Sequence, residues 1–129
     1  MPTNEFEDLV FSPNPPIINM NGDLKKAVSK MRKSAERTIF VVDDRNTLKG
    51  VVTEGDLMRA LEANQFLQAD TTAFMNSAPI FSAVKLSNSE LTQLFIETGL
   101  LLIPIVDEFG RLIGSQSVRA AVKVLMKSV

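Results

Sequence analysis

Ile39-Phe40-Val41-Val42-Asp43-Asp44, followed by a short polar stretch to Gly50, recurs as Ile103-Pro104-Ile105-Val106-Asp107-Glu108, followed by a short stretch to Gly114. Asp43 to Asp107 and Gly50 to Gly114 are the same displacement, 64 positions. Agreement at two separated points marks a duplicated supersecondary unit rather than shared composition. At the same displacement Ala27 meets Leu91 and Met31 meets Phe95, so the repeat extends into the first helices. Two copies of a small unit bury their apolar faces against each other, and a pseudo-twofold interface is a natural place for a ligand.

The chain has 129 residues, enough for one compact domain. Hydrophobic residues make up 45%, which suffices for a core, whereas half the chain, about 60 residues, is marginal alone. Two half-domains sharing one core follow. The net charge is −1, and no Lys/Arg block exceeds two consecutive residues. That argues against non-specific nucleic-acid binding, which needs many phosphate contacts. There is no Cys and no His. Disulfides, thiolate metal sites, the commonest general base and the commonest transition-metal ligand are therefore all missing. Met1-Pro2-Thr3-Asn4-Glu5 does not read as a signal peptide. The longest strictly apolar run, Leu100 to Val106, is far short of a membrane span. A cytoplasmic protein without membrane insertion or a nucleic-acid partner is the expectation.

Residues 1–11 read as a lead-in segment with a short docking helix over Glu5 to Phe11, ended by Ser12-Pro13-Asn14-Pro15-Pro16. Ile17-Ile18 is a short strand. Asn21 or Asp23 caps a helix whose stripe is Leu24, Ala27, Val28 and Met31. Thr38 to Val42 is a buried strand, Asp43 to Asn46 a turn, and Leu48 to Val52 a returning strand. Thr53 opens a helix carrying Leu57, Met58 and Leu61. The second copy repeats the order: Asp70 to Met75 as a linking turn, Ile80-Phe81 as a short strand, and Ser87 or Ser89 as a helix cap. The strand Leu101 to Val106, a return from Leu112 and a last helix with Val118, Ala121, Val122 and Leu125 complete it. The methionines and the eight phenylalanines read mainly as core. The fold class is α+β (α/β): two β-α-β-β-α repeats, 12–66 and 70–128, related by a pseudo-twofold axis, with small sheets covered by helices.

Gly50-Val51-Val52-Thr53-Glu54-Gly55-Asp56-Leu57 resembles the signature of the CBS domain: a glycine, two mostly apolar residues, Thr or Ser, two variable residues, then Asp. Val41-Val42-Asp43 and the Ala27–Met31 helix fit as well. The resemblance covers roughly residues 12 to 128 as a tandem pair, or Bateman module. It implies a non-catalytic regulatory unit that binds an adenosine-containing ligand between the repeats. AMP, ADP or ATP is implied, or S-adenosylmethionine, with no cofactor required. It also implies modulation of a partner enzyme or transporter.

By that resemblance Asp56 is the ribose position. A carboxylate accepts charge-assisted hydrogen bonds from both hydroxyls of a diol. Thr53, at the start of the helix, and Arg59, one turn after Asp56, suit phosphate. The base would lie against the opposite repeat, which implies Ala78, Pro79, Ile80, Phe81, Ser82, Leu101 and Ile103. A second reading stands beside this one: Thr-x-x-Asp at a helix start is also a capping box. In the second copy, Gly114-Ser115-Gln116-Ser117-Val118-Arg119-Ala120, Ser117 keeps the hydroxyl but Ala120 stands at the aspartate position. That site reads as empty or altered, with Arg37, Ser117 and Arg119 as its candidate residues. The apolar helix faces point to a homodimer. The alternative function is a ligand-free interaction or dimerisation module. Thr53 to Leu61 is similar to CBS pairs found beside sugar-nucleotide transferases, so the regulatory part of such an enzyme belongs to that alternative.

Overall fold

The computed structural model describes residues 5–127; residues 1–4 of the lead-in and residue 128 of the second repeat lie outside the described part. The element order is α1 (Glu5–Leu9), β1 (Phe11–Ser12), β2 (Ile17–Asn19), α2 (Leu24–Lys33), β3 (Thr38–Val42), β4 (Leu48–Thr53) and α3 (Glu54–Glu62). A 3₁₀ turn (Thr71–Ala73) links these to α4 (Asn88–Thr98), β5 (Leu102–Val106), β6 (Leu112–Ser117) and α5 (Val118–Met126). The strands form two three-stranded sheets, β2-β3-β4 and β1-β6-β5.

The continuous apolar runs of β3 and β5 have a simple cause: both faces of each strand are covered. Alternate side chains point to opposite faces. Ile39 and Val41 enter a core with Ile18, Leu24, Ala27, Met31, Val52, Leu57 and Phe74. Ile103 and Ile105 enter a second core with Val10, Leu91 and Ala121. The other face of β3, Phe40 and Val42, meets Leu102 and Leu112 of the second sheet in a third cluster. Burying a side chain such as Phe40 contributes about 1.5–3 kcal/mol, and it is this third cluster that makes one domain of two halves.

Hydrogen bonds across the pseudo-twofold repeat at the same displacement. Leu48 N donates to Gly110 O at 3.0 Å, and Leu112 N donates to Asn46 O at 2.9 Å. Asn46 and Gly110 occupy equivalent turn positions and both have positive φ, 65° and 79°. Glycine and, less readily, asparagine tolerate that left-handed conformation. Asp43 Oδ1 accepts from the backbone N–H of Arg45 and Thr47, both at 2.9 Å, and Asp107 does the same for Phe109 and Arg111. The repeated aspartates therefore shape turns. The Thr47 N–H bond, with Arg45 and Lys49, holds the Asp43 carboxyl below its ordinary value of 3.8.

The segments that open the two repeats cross over. Phe11 and Ser12 pair with Gln116 and Ser115 of β6, while Asn76 bridges to Val51 of β4. Phe6, Val10 and Phe11 thus complete the core of the second half. A Cβ on Gly114 would lie 2.3 Å from the Phe11 ring and 2.4 Å from Ser12 O. One on Gly50 would lie 2.7 Å from Asn76 O and 2.8 Å from the Met75 sulfur. The repeated glycines admit these crossings.

Several expectations need correction. Ile80-Phe81 is not a strand; only Ser82 makes an isolated parallel bridge, to Ile105. Its counterpart Ile18 pairs with Val41 within a true strand, β2. In the first half Phe40 N donates to Pro16 O at 2.9 Å. Pro104 stands at the position of Phe40 and has no N–H to donate, so the second strand loses that bond. Met58 and Met126 are exposed rather than core, as are Phe66, Phe81, Phe95 and Phe109. On α3 Met58 and Leu61 are exposed, and on α5 so are Val122 and Leu125, at the equivalent positions.

Candidate functional site

The first cleft lies where the start of α3 meets the opposite repeat. It encloses about 190 Å³ and is lined by Thr53, Asp56 and Arg59 on one side and Asn76, Ile80, Leu100, Leu102 and Pro104 on the other. Thr38, Phe40 and Val51 form its floor from the first sheet. The strand β4 ends at Thr53, whose side chain accepts from Asp56 N and so begins α3. That turn brings Asp56 and Arg59 to the cleft on one helical face, three residues apart.

The polar groups are already engaged. Thr53 N and Thr53 Oγ1 donate to Asp56 Oδ2 at 2.8 and 3.0 Å, and Arg59 Nη2 donates to Asp56 Oδ1. This is the reciprocal capping box, with an ion pair added. The Asp56 side chain is 12% exposed and that of Arg59 70%. Glu54 N is taken by Arg37 O at 3.3 Å. Around this polar end the lining is apolar apart from Thr38 and Asn76, so the cleft offers one ion pair, Asp56 with Arg59, beside a mainly hydrophobic wall.

Of the sequence-predicted residues, Thr53, Asp56, Arg59 and Ile80 come together in this cleft. Pro79 and Phe81 line a different depression, beside Thr47, Leu48, Lys49 and Val106. Ala78 N is bound to Asn76 Oδ1, and Ser82 N to Pro104 O. Leu101 is exposed, and Ile103 is 1% exposed in the helical core, so neither lines the cleft. The cleft is instead lined by the neighbouring Leu100, Leu102 and Pro104. The stretch Leu101 to Val106 carries no polar residue to mark its outer face, so its parity was open in the sequence; the displacement from Thr38 to Leu102 and from Phe40 to Pro104 would have settled it.

A second cleft of about 320 Å³ is built from equivalent positions. Ser117 replaces Thr53, Ala120 replaces Asp56, Ser115 replaces Val51, Ser12 replaces Asn76, Pro16 replaces Ile80 and Glu36 replaces Leu100. Ser117 Oγ accepts from Ala120 N at 2.9 Å, so α5 is capped without a carboxylate. Arg37 and Arg119, expected here, are both exposed and line neither cleft. Arg37 faces Glu54 at 3.6 Å across an open surface, a pair worth at most about 1 kcal/mol.

Two half-sheets joined about a pseudo-twofold, with a cleft at each junction, define a CBS-domain pair. Residues 7–63 match the CBS domain family model. A putative acetoin utilization protein (AcuB) from Vibrio cholerae shares the fold with a TM-score of 0.82 and 19% identity, over 95% of this chain and 90% of that one. The CBS domain pair of protein MJ0100, in complex with 5′-methylthioadenosine and S-adenosyl-L-methionine, gives a TM-score of 0.80 at 18% identity, over 96% and 97%. The cytosolic domain of the Mg²⁺ channel MgtE, in complex with ATP, gives 0.73 at 22% identity, over 89% of this chain and 46% of that one. No curated protein matches the chain at a significant level. Residues 7–63 thus carry a CBS domain, and the chain as a whole has the fold of a tandem CBS-domain pair, or Bateman module. Among its described residues no helix is long and apolar enough to cross a membrane.

Proposed function

We propose that this CBS pair is a non-catalytic regulatory module that binds an adenosine-containing ligand of the AMP, ADP or ATP class in the Asp56 cleft. The observation that carries the reading is the juxtaposition of Asp56, Thr53 and Arg59 with an apolar wall from the other repeat. The carboxylate suits a ribose diol, the guanidinium a phosphate, and Ile80, Leu100, Leu102 and Pro104 a purine face. The equivalent helix α5 starts on Ser117 alone. Helix capping at this turn therefore does not require an acid, which favours a ligand role for Asp56 beside its structural one. The solved pairs carrying ATP, or 5′-methylthioadenosine and S-adenosyl-L-methionine, support the ligand class.

The module would act by binding one packing of the two halves better than another, since only differential affinity shifts an equilibrium. It would act in the cytoplasm on a partner enzyme or transporter. Met58 and Leu61 on α3 and Val122 and Leu125 on α5 give each repeat an exposed apolar ridge at equivalent positions. Those ridges favour a homodimer, which light scattering of Met58→Glu and Val122→Glu against the native chain would test.

The binding test is thermal melting of ligand-free protein with AMP, ADP, ATP and S-adenosylmethionine, on native chain and Asp56→Ala. A ligand at a hundred times its dissociation constant stabilises by about 2.7 kcal/mol, a rise in Tm of roughly 10 °C for a domain of this size. The rise is expected in the native chain and absent in Asp56→Ala. One observation favours a second reading, a ligand-free interaction module: the Asp56 carboxylate is already satisfied by Thr53 and Arg59. Melts unmoved by every nucleotide would support it.

A further inference from the structure

The Asp56 carboxylate has about four acceptor positions, and three are occupied: two bonds from Thr53 fall on Oδ2 and one from Arg59 on Oδ1. A diol brings two donors and finds one vacant position. The two Thr53 bonds belong to the helix start and stay. Arg59 is the partner that can leave, because its side chain is largely exposed and its stem is flexible. Asp56 and Arg59 also line both the 190 Å³ cleft and an adjoining depression of about 340 Å³, walled by Ala60, Ala63, Gln65, Phe74 and Met75. The ion pair is common to both spaces, so parting it both frees Oδ1 and widens the cleft.

We propose that Arg59 is a latch that makes the site select phosphorylated nucleosides over bare ones. This rests on the nucleotide reading above. A nucleoside must expel a guanidinium from Asp56 and gives it nothing in return. A nucleotide takes Oδ1 with its ribose and offers the released guanidinium a phosphate, so one charge-assisted contact replaces another. The selectivity arises from the closed state of the empty site as much as from the phosphate contact itself.

The test is calorimetric titration of AMP and of adenosine into ligand-free native chain and Arg59→Gln, each first shown to melt cooperatively. In the native chain AMP binds at least about tenfold tighter than adenosine, the scale of one charge-assisted bond. In Arg59→Gln adenosine binds tighter than it does to the native chain, AMP binds weaker, and the preference collapses. A merely structural role for Arg59 would lower both affinities together. Equal native affinities, an unchanged preference in Arg59→Gln, or adenosine weakened by the substitution would overturn the latch and leave the nucleotide reading intact. Binding of neither ligand to either protein would overturn the nucleotide reading, and the latch with it.

Discussion

The cleft of the first repeat and the cleft of the second are lined largely from equivalent positions, displaced by 64, yet only the first has an acidic anchor at the helix start: Asp56 against Ala120. Their helices begin alike, with Thr53 accepting from Asp56 N and Ser117 from Ala120 N. The loss of the carboxylate thus leaves fold and cap in place while removing the group that would hold a ribose. Structure and ligand chemistry are separable at this turn. The halves differ in their cores as well. Val52 is fully buried in the first, and its counterpart Gln116 is fully buried in the second. The Gln116 amide accepts from Leu86 N at 2.7 Å and donates to Leu86 O at 3.1 Å and Glu7 O at 3.3 Å. It ties both the segment before α4 and the lead-in to the second sheet, where the first half uses apolar packing.

Substitutions at paired positions sharpen this comparison. The largest effect belongs to the crossing glycines. Gly114→Ala drives a methyl into the Phe11 ring and Ser12 O, and costs about 1–3 kcal/mol or more. Gly50→Ala costs less, because its backbone approach is longer, 2.7 Å to Asn76 O against 2.4 Å to Ser12 O, and the Met75 side chain yields more readily than the Phe11 ring. Urea unfolding of both variants checks the order; equal and negligible losses would break the account of the crossings.

Gln116→Leu leaves Leu86 N and two carbonyls without their side-chain partner, at a cost of about 1–3 kcal/mol. Val52→Leu overpacks a fully buried apolar position but leaves no polar group unpaired, so it is not expected to loosen the lead-in. Native-state hydrogen exchange is expected to show weakened attachment of the lead-in in the Gln116 variant, as faster amide exchange over residues 6–12. Thr53→Ala and Ser117→Ala each remove a cap worth about 1 kcal/mol. The first should cost more, since Asp56 also loses the Thr53 hydroxyl.

The smallest effect is a pH dependence. Asp43 in the first half and Glu90 at the start of α4 both sit below their ordinary values, 3.8 and 4.5, held by backbone hydrogen bonds from Thr47 and Ser87 respectively. A depressed folded value means that the unfolded chain binds the proton more readily. Their stabilisation is therefore complete above the ordinary values and is lost as pH falls through the lower folded ones. Asp43→Asn should flatten the fall of Tm below about pH 4, measured by calorimetry; an unchanged slope would remove Asp43 as a source.

Much of this was legible because duplication leaves two imprints of one geometry. The strands, turns and helix starts followed from Val41-Val42-Asp43 and its echo, and from Thr53 and Ser117 as hydroxyl caps. What the sequence hid has physical causes. The face of β5 is ambiguous in the sequence because every residue from Leu101 to Val106 is apolar, so Ile103 reads as a cleft residue although it lies in the core. The missing N–H of Pro104 shortened the strand expected at Ile80-Phe81. The engagement of Asp56 by Arg59 depends on a rotamer, which residue spacing permits but does not dictate. Exposed Phe and Met side chains look like core in a sequence until the partner surfaces of each helix are known.

The proposed nucleotide site is single, anchored by Asp56 and absent where Ala120 stands. Titration of AMP into ligand-free native chain, Asp56→Ala and Ala120→Asp measures it directly. One site per chain is expected in the native protein and none in Asp56→Ala, with a second weak site emerging in Ala120→Asp. Undiminished binding by Asp56→Ala, or two sites in the native chain, would contradict it.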